Sequence, residues 1–572
     1  MLERLAWYLR RLMKMGLLEL VYRFYELSVC YLDRLFLKPS VVKCSDVNVT
    51  VSDVVADFVK DEMSEIVSLY DIQPDQEIAS IISNYQGQFF GEISYNGDLR
   101  ELWEYQRFND VYESYFSTPI QSRDEFLSDY ILSWNKKNKL LTGISYISTM
   151  ECAIRCINIY SIFCYHYKYE ACSDRLTQLC MEFFLNNEVI IRHRISRFSS
   201  RGNHTLFEYA GIAVCNKALG RLKQYQNYRS KAMAEYDYQL LDDGSGIEYS
   251  SHYHAFNVDC YIFTLLLDDK VDKKELGKYI VPEVEYLSAL SVNGDIVRIA
   301  DSDSSQLIYR IFLTGILEAN APKGRINFEN AGQLIYRSEE LSFVIKYGEL
   351  GMKPLCGHGH YDFLSLCVFT DRGLITSDAI TYKYNHLTRR QFRSSQYHSM
   401  PKAGKDHLIQ TSNFMWSSSD TGQHLLYRKI DDFNMDIFSY YNTIEQHQIY
   451  RAVVYSNKNI IVVDMLSRHG PSDSPLDIDW LLIDGKTKPE LYTYSGGNLL
   501  SSEFVEVEYD FCSVYAGLLS KKVKFSFSEK TSPIISVFNF DSSSLDPKQL
   551  NGIVQVVTND IAQLADGHSG HL

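Results

Sequence analysis

The chain of 572 residues lacks several features that would quickly assign it to a class of protein. It has no apolar run that reaches the ~20 residues a membrane-spanning helix needs. Its 12 cysteines stand singly, with no CxxC pair, which favours reduced, buried thiols over a disulfide scaffold. Excess positive charge is also absent. The net charge is −15, which disfavours nonspecific binding to nucleic acid.

The N-terminus also lacks a signal peptide. Arg10, Arg11 and Lys14 interrupt the apolar stretch, and no small-residue cleavage site follows. The first 36 residues are typical of a pair of basic amphipathic helices. We expect these helices to pack against the chain's own helices, and docking to a membrane surface or to a partner is the alternative. With no export signal, the sequence predicts a cytoplasmic location.

The composition is otherwise that of a globular protein, with 45% hydrophobic and 23% charged residues. The length predicts two or three domains rather than a single core. The 42 tyrosines are unusual. A tyrosine offers an apolar ring with a polar tip, which suits a wet binding surface and sugar stacking, although a simple bias in composition explains the number equally well.

Two hydrophobic periods divide the chain. Up to about residue 325, apolar residues recur at spacings of three and four, as in 99–116, 148–167, 172–195, 206–220, 230–241 and 256–267. Successive helices with short connections predict a bundle, solenoid or toroid. From residue 333 the period becomes two, which predicts a β-sandwich. We divide the chain into an N-terminal helical segment (1–95), a helical domain (96–328) and a strand domain (329–572).

The most polar segment of the strand domain is "GHGHYDFLSLCVF" (357–369). Alternate side chains share one face of a strand, so the pattern predicts a ribbon whose polar end is open and whose apolar end is buried. That face would carry His358, His360, Asp362, Leu364 and Leu366.

Two further polar clusters lie in the helical domain. In "SSRGNHTLFEYAG" (199–211), His204 and Glu208 are four residues apart and therefore share a helical face, with Asn203 just before them. In "DDGSGIEYSSHYHAFNVDCY" (242–261), Tyr253 follows a Gly-rich turn, with His254 beside it. Either cluster taken alone is more often an ordinary helix start than a catalytic set.

A last cluster, 373–400, follows the GHGH segment. Arg389, Arg390 and Arg393 supply positive charge that the composition as a whole lacks, and His398 ends the run.

The stretch "GHGHYDFLSLCVFTDRGLITSDAITYKYN", followed by "RRQFRSSQYHS", resembles the signature of the heparinase II/III-like polysaccharide lyases. The GNH loop, the YH pair and "WEYQRF" (103–108) are similar to the family's helical domain. The resemblance implies an (α/α) toroid followed by an antiparallel β-sandwich. It also implies a lyase that cleaves a uronate-containing acidic polysaccharide or oligosaccharide by β-elimination, with no organic cofactor.

The resemblance assigns roles to individual residues. Asn203 matches the position that neutralises the uronate carboxylate, with His204 or a protonated Glu208 as helpers, and His254 is a further possible helper. Tyr253 matches the tyrosine that protonates the leaving oxygen, and it is also a candidate for the base. His358 matches a histidine placed opposite, which is the second candidate for the base. Such chemistry needs an acid, a base and donors aimed at the carboxylate.

The arginine cluster and the remaining histidines receive separate roles. We expect Arg389, Arg390 and Arg393 to bind substrate and to lower the pKa of the tyrosine.

In some family members His360, Asp378 and His398 match the ligands of a structural zinc ion, and His and Asp are reasonable zinc donors. A hairpin turning at Asp371–Arg372 would place Asp378 opposite Ser365, roughly 16 Å from His360 along the strand, so the three need a bulge or another pairing to meet.

The missing export signal favours trimming of the cell's own surface polysaccharide over the breakdown of extracellular glycans. The family resemblance makes the periplasm or cell envelope the alternative location. A non-catalytic glycan-binding or assembly protein on the same scaffold is the alternative function. An inverting glycoside hydrolase is a third, and it would need two apposed carboxylic acids drawn from Glu208, Glu248 and Asp243.

Overall fold

Helices occupy the chain up to Ala319, and antiparallel strands dominate the rest. The fold is the predicted α+β arrangement, an N-terminal helical toroid followed by a C-terminal antiparallel β-sandwich. The computed structural model describes residues 16–42, 48–69, 76–272, 274, 276–303, 305–385, 388–468, 473–483, 489–495, 498–503, 505–513, 518–529, 533–539 and 545–568. In this part of the chain no helix combines the length and the apolar character needed to cross a membrane.

The toroid is built from antiparallel helix pairs around α8, which is buried on nearly every side. A helix buried all round needs no exposed polar stripe, and its buried polar side chains, such as Glu151 and Asn158, are hydrogen-bonded in the interior. The α-helices are α1 (Leu17–Phe36), α2 (Asp53–Asp61), α3 (Met63–Leu69), α4 (Gln76–Ser83), α5 (Leu99–Glu104), α6 (Asp110–Ser117), α7 (Arg123–Lys137), α8 (Thr149–Tyr169), α9 (Asp174–His193), α10 (Asn203–Ala218), α11 (Leu222–Tyr238), α12 (Ser251–Leu266), α13 (Leu276–Ile280), α14 (Glu285–Ala289), α15 (Arg310–Ala319), α16 (Thr388–Phe392) and α17 (Pro547–His568).

The strands form the second half and one small hairpin before it. They are β1 (Ser291–Val292), β2 (Asp295–Ile296), β3 (Gly324–Phe328), β4 (Gln333–Arg337), β5 (Ser342–Lys346), β6 (Ser365–Thr370), β7 (Gly373–Leu374), β8 (Pro401–Ala403), β9 (Gln410–Ser412), β10 (Met415–Trp416), β11 (Gln423–Ile430), β12 (Phe433–Asn442), β13 (His447–Tyr455), β14 (Asn459–Arg468), β15 (Leu476–Leu481), β16 (Glu490–Ser495), β17 (Asn498–Ser502), β18 (Val505–Ser513), β19 (Leu518–Glu529) and β20 (Ile534–Asn539).

Three antiparallel sheets make the sandwich, with strand orders β3-β4-β5-β6-β7, β11-β12-β13-β14-β20-β16-β17 and β18-β19-β15-β8. Their facing sides enclose one apolar core that includes Phe343, Leu366, Trp416, Val462 and Trp480. Alternation of apolar and polar residues along each strand lets one face join this core. The first sheet also packs against the toroid, because Ile335, Val344 and Phe369 belong to the helical core.

Three details differ from the sequence-based expectations. The stretch 99–116 forms two helices rather than one, because the chain turns at Phe108, where φ is +65°. The GHGH segment is irregular, and β6 begins only at Ser365. The C-terminal α17 was not predicted, although Ile553, Val554 and Val557 have helical spacing and pack on the outer face of the large sheet.

The GHGH segment is irregular because its backbone lies directly against a neighbouring turn. A Cβ atom on Gly359 would lie 2.0 Å from the carbonyl oxygen of Leu350, so only glycine fits there. Leu364 then adopts φ of +61° before the strand begins. The expectation that five alternate residues line one face of a ribbon is therefore wrong. His358 and His360 instead lie in a loop between β5 and β6.

Candidate active site

A cleft runs between the toroid and the sandwich. It consists of two adjoining cavities of about 440 and 460 Å³. We call the first the arginine lobe, because Arg194 and Arg201 line it, and the second the tyrosine lobe, because Tyr253 and Tyr384 line it. Both lobes share four lining residues, namely Asn203, His204, His358 and Phe414. Asn203 and His358 thus lie where the two lobes meet, and Tyr253 lies in the tyrosine lobe beside them.

Asn203 is the first residue of α10, and its backbone is fixed by a carboxylate. Its N–H donates to Oε1 of Glu248 at 2.9 Å, and its own Oδ1 accepts from the N–H of His204 at 2.9 Å. Gly202 makes this possible, because its φ is +145° and a Cβ atom there would lie 2.8 Å from Oε1 of Glu248. With Oδ1 engaged, the side-chain NH₂ group is the part of Asn203 suited to donate to a ligand.

Tyr253 lies in the first turn of α12. Ser250 caps the helix by accepting from the N–H of Tyr253 at 3.1 Å, and its hydroxyl donates to the carbonyl oxygen of Asp301 at 2.6 Å. The Tyr253 hydroxyl bonds to that of Tyr384 and lies 3.4 Å from Oδ2 of Asp303. The helix start is therefore tied to both halves of the molecule, which fixes the position of the phenol.

Burial raises the pKa of Tyr253 well above its ordinary value, and the nearby carboxylates of Asp303 and Asp301 raise it further. Arg389 is close enough to interact with the phenolate, as expected, but burial and the two carboxylates outweigh it, and Asp301 neutralises its charge. A phenol with a raised pKa stays protonated at neutral pH, so it can donate a proton but is a poor base.

The His358 ring packs against the ring of Tyr253, with 4.0 Å between their centroids. Its Nδ1 lies 3.3 Å from Oδ2 of Asp301, and its Nε2 lies 3.3 Å from Oε2 of Glu248. The two rings are in contact, so both lie on one side of the cleft. The expectation that His358 stands opposite Tyr253 is therefore not met. Each imidazole nitrogen faces a carboxylate, which fixes the orientation of the ring.

Asp301 connects the cleft to the interior of the sandwich. Burial alone would raise its pKa, but the guanidinium of Arg389 and the rings of His358 and His360 outweigh burial and hold the pKa well below its usual range. Arg389 binds both carboxylate oxygens, at 2.9 and 2.6 Å. Asp301 is therefore a permanent anion beside His358.

The predicted helpers are divided between the cleft and the protein interior. His204 lines both lobes, and burial lowers its pKa to about 4, so it is neutral at pH 7. Glu208 lies in the interior, where its carboxyl accepts from Thr149 at 2.6 Å and from the N–H of Ser196 at 2.6 Å. His254 is likewise buried outside the cleft, against the ring of Tyr286.

The three arginines predicted to bind substrate are not among the residues that line either lobe. Arg389 is held by Asp301, and Arg393 donates to the carbonyl oxygens of Gly359 and Asn413. Burial, with the neighbouring charge of Arg389, lowers the pKa of Arg393 to about 9. Arg390 is exposed. Arg389 and Arg393 thus hold the GHGH loop in place. No contact in this structure supports a role for the three arginines in binding substrate.

The predicted zinc ligands are neighbours but do not form a closed site. Nδ1 of His398 lies 3.0 Å from Oδ2 of Asp378, and the rings of His398 and His360 are 5.3 Å apart. As the hairpin register predicted, Asp378 lies beside Ser365, whose hydroxyl donates to it at 2.6 Å. His360 reaches His398 because its loop curls back instead of extending along the strand.

Nε2 of His398 and Nδ1 of His360 are buried without a hydrogen-bond partner among the described residues. Such orphaned nitrogens fit a metal ion. The spacing fits less well, since within the described ranges only Asp124, His166 and Cys172 bring three donor atoms within 4.8 Å of one another.

Several residues of the cleft were not predicted as its functional groups. Asp303 accepts from the hydroxyl of Tyr384 at 3.2 Å and lies 3.4 Å from Nε of Arg100. Glu248 was considered only as a hydrolase acid, yet it contacts both Asn203 and His358. The sequence feature that could have identified Asp303 was "RIADSDSS" (298–305), a dense acidic and hydroxyl-rich segment inside an apolar region.

Comparisons with known proteins agree with this architecture. A model described as "Heparinase II/III N-terminus" matches residues 108–291, and one described as "Heparinase II/III-like, C-terminal" matches residues 320–491. A crystal structure of heparinase III is similar, with TM-score 0.58 and 12% identity, over 92% of each chain. A mutant of the heparan sulfate lyase HepC from Pedobacter heparinus has TM-score 0.52 and 16% identity, over 86% of this chain and 90% of its own. None of the curated proteins matches the chain significantly. At these identities the solved structures establish the shared fold.

Proposed function

Because the chain belongs to the heparinase II/III-like family, we propose that it is a polysaccharide lyase that cleaves a uronate-containing chain by β-elimination. The observation that carries this proposal is the meeting of Asn203, Tyr253 and His358 in the interdomain cleft. These residues come from α10, α12 and the GHGH loop. One sugar can contact all three side chains. If any of the three had only a structural role, it would not need to meet the other two in the cleft.

The division of labour follows from the electrostatics. His358 accepts the proton on the carbon next to the uronate carboxylate, and the adjacent anion Asp301 stabilises the imidazolium that forms. Tyr253 remains protonated because its pKa is raised, so it donates its proton to the 4-linked oxygen as that bond breaks. A carbon–carbon double bond remains in the uronate. The acid and the base are neighbours, which suits removal of both groups from one face of the sugar.

The carboxylate of the substrate must be stabilised before its neighbouring proton becomes acidic. The NH₂ group of Asn203 and the neutral ring of His204 stand together at the start of α10, where the helix dipole also favours an anion. Neutral donors suit this task, because they strengthen as negative charge develops on the carboxylate.

An acidic substrate is favoured by Arg194 in the arginine lobe. It donates to the carbonyl oxygens of Tyr146 and Ile147 at 2.8 and 2.9 Å, and no carboxylate of the described residues lies within ion-pair distance of it. A half-buried cation without a carboxylate at ion-pair distance attracts an anionic ligand. Arg194 therefore takes the place that the sequence had given to Arg389, Arg390 and Arg393.

His360, Asp378 and His398 would hold a structural zinc ion, which would tie the GHGH loop to the segments that carry Asp378, after β7, and His398, before β8. The orphaned nitrogens of the two histidines support this assignment. The ion would lie in the sandwich and not in the cleft, so the elimination needs no step at the metal.

The decisive experiment incubates the protein with a panel of uronate polymers and follows ultraviolet absorbance. Elimination produces an absorbing unsaturated uronate, whereas hydrolysis produces new reducing ends without that absorbance. Binding to one of the polymers with no product of either kind would make the chain a glycan-binding protein on a lyase scaffold. The hydrolase alternative has little support, because Glu248 alone of its three candidate carboxyls lines the cleft.

A further inference from the structure

Helix α1 presents its apolar side to the outside of the molecule. Val21, Phe24 and Leu35 are 61%, 74% and 70% exposed, whereas Glu19 and Asp33 are buried. The exposed residues recur at spacings of three and four, so they form one continuous face along the helix. At 1.5 Å per residue this face is about 30 Å long. In the described part of the chain nothing covers this face. Helix α1 packs on the chain's own helices, as expected, but through its polar side, and residues 1–15 of the expected helix pair lie outside the described residues.

The polar side of α1 is firmly docked on the toroid. Nη2 of Arg23 donates to the carbonyl oxygen of Arg197 at 3.2 Å and to the hydroxyl of Ser200 at 2.7 Å. Nδ1 of His193 lies 3.0 Å from the carboxylate of Asp33. These specific contacts fix the rotation of the helix about its own axis. The apolar face therefore points outward because the polar face is bound to the toroid, and not because the helix is loosely attached.

The surroundings of the face are aromatic, and the residues that precede it in the sequence are basic. Phe198 is 43% exposed, and its ring lies 5.6 Å from that of Tyr22. Exposed Tyr25 and Tyr31 lie on the helix itself. Residues 1–42 contain seven Lys and Arg against four Asp and Glu, a net charge of +3 in a chain whose total is −15. This net charge comes from residues 1–15, so a basic segment of an acidic protein leads in the sequence into a helix with an exposed apolar face.

We propose that α1 lies in the interface of an anionic lipid bilayer. The leucines and phenylalanines would enter the boundary of the acyl chains, the tyrosines would lie at the depth of the headgroups, and Lys38 would reach the lipid phosphates. A second copy of the chain fits less well as the occupant, because each copy would bring the same excess of positive charge to the contact.

This attachment would place the cleft at the membrane surface. Glu26, on the polar side of α1, lines the arginine lobe together with Phe198 and Arg201. The helix is therefore a wall of the cleft on one side and the docking face on the other. A glycan held at that surface would reach the arginine lobe directly. This consequence rests on the proposed function, whereas binding of α1 to lipid does not.

The test is sedimentation of the full chain with vesicles of phosphatidylglycerol and phosphatidylcholine, compared with vesicles of phosphatidylcholine alone. We expect binding to the anionic vesicles that salt weakens, and at least tenfold weaker binding by the variant Phe24→Gln/Leu32→Gln/Leu35→Gln. The matched control is Leu222→Gln/Ile409→Gln/Ile444→Gln, which removes three apolar side chains of similar exposure elsewhere and should bind as the unmodified chain does. Glutamine keeps a good helix propensity at the exposed positions of α1.

Three outcomes would overturn the proposal. The first is a failure of the unmodified chain to bind anionic vesicles. The second is binding that does not distinguish the two kinds of vesicle or the two triple variants. The third is a dimer that only the α1 variant dissociates, detected by light scattering, which would assign the face to a second copy. The lyase assay on soluble oligosaccharides is independent of all three.

Discussion

His358 and His360 are separated by a single residue, yet they belong to different environments. The side chain of His358 is 26% exposed in the cleft, whereas that of His360 is 1% exposed beneath it. Asp301 joins them, with Oδ2 near His358 and Oδ1 bound to His360 at 2.9 Å. The comparison shows how one short motif supplies both a reactive group and the support that orients it. The exposed histidine is suited to chemistry, and the buried one is suited to stability.

The need to support the loop that carries His358 also explains why two buried arginines follow the motif. Arg389 completes the bonding of Asp301, and Arg393 holds the carbonyl oxygens of the GHGH loop. Burying two guanidinium groups in this way is costly unless their donors are satisfied. Here the bonds to Asp301, Gly359 and Asn413 satisfy them, and the loop that carries His358 is fixed as a result.

The largest effect should come from Tyr253→Phe. The ring and its packing on His358 remain, and only the proton-donating hydroxyl is lost, so turnover should fall by about 10²–10⁴ while the affinity for substrate changes little. Steady-state kinetics and a binding assay on one uronate polymer measure both. Tyr450→Phe removes a buried hydroxyl far from the cleft and should retain normal turnover. Near-normal turnover of Tyr253→Phe would refute its role as the acid.

The comparison of the two histidines is tested by replacing each of them. His358→Ala should lower turnover nearly as much as Tyr253→Phe, because the raised pKa of Tyr253 makes it a poor substitute base. His360→Ala should lower the free energy of unfolding by about 1–3 kcal/mol, since Asp301 loses a buried partner. Only a partial loss of turnover in His358→Ala would show that Tyr253 performs both proton transfers.

Asn203→Ala should also reduce turnover severely, because the substrate carboxylate would keep its charge and its neighbouring proton its low acidity. The loss should appear in kcat more than in KM, since the hydrogen bond strengthens as charge develops. Arg194→Gln is the contrasting variant and should raise KM with little change in kcat. Equal effects of the two variants on KM would make Asn203 a binding residue only.

Zinc should contribute mainly to stability. If His360, Asp378 and His398 bind it, the purified protein will contain the metal, and chelation will lower the melting temperature more than it lowers turnover. Elemental analysis and a thermal melt with and without chelator measure this, and His398→Ala should abolish the difference. Metal-free protein with an unchanged melting temperature would make the three residues a hydrogen-bonded patch.

Much of the fold was predictable, because helical and strand periods are local properties of the sequence. The change of period before residue 333 marks where β4 begins at Gln333. The C-terminal α17 was missed, since its helical spacing follows a long run of strands. The irregular GHGH loop was missed for a different reason. Its conformation depends on the contact of Gly359 with Leu350, which no alternation of residues reveals.

Only the site residues that lie in recognisable sequence motifs were predictable. Asn203, Tyr253 and His358 could be named because each lies in a polar segment that resembles a known family. Asp301 and Asp303 could not, since their importance lies in distant partners such as Arg389, Arg100 and His360. The interior position of Glu208 was equally hidden, because its i,i+4 spacing from His204 does not tell which face is buried.

The prediction with the least effect on turnover concerns Glu208, which tests the buried side of the site. Burial raises the pKa of its carboxyl to about 7, against an ordinary value of 4.5. The folded state then holds a proton that the unfolded state releases, so this contribution to stability is complete below pH 4.5 and is lost as the pH rises through 7. The difference amounts to about 3 kcal/mol in the free energy of unfolding. Glu208→Gln keeps the hydrogen-bonding shape without the charge, so denaturant unfolding at pH 5 and pH 8 should show a smaller loss in the variant than in the unmodified chain. An identical pH dependence in both would mean that Glu208 is ionised in the folded protein, and that its bonds to Thr149 and Ser196 outweigh its burial.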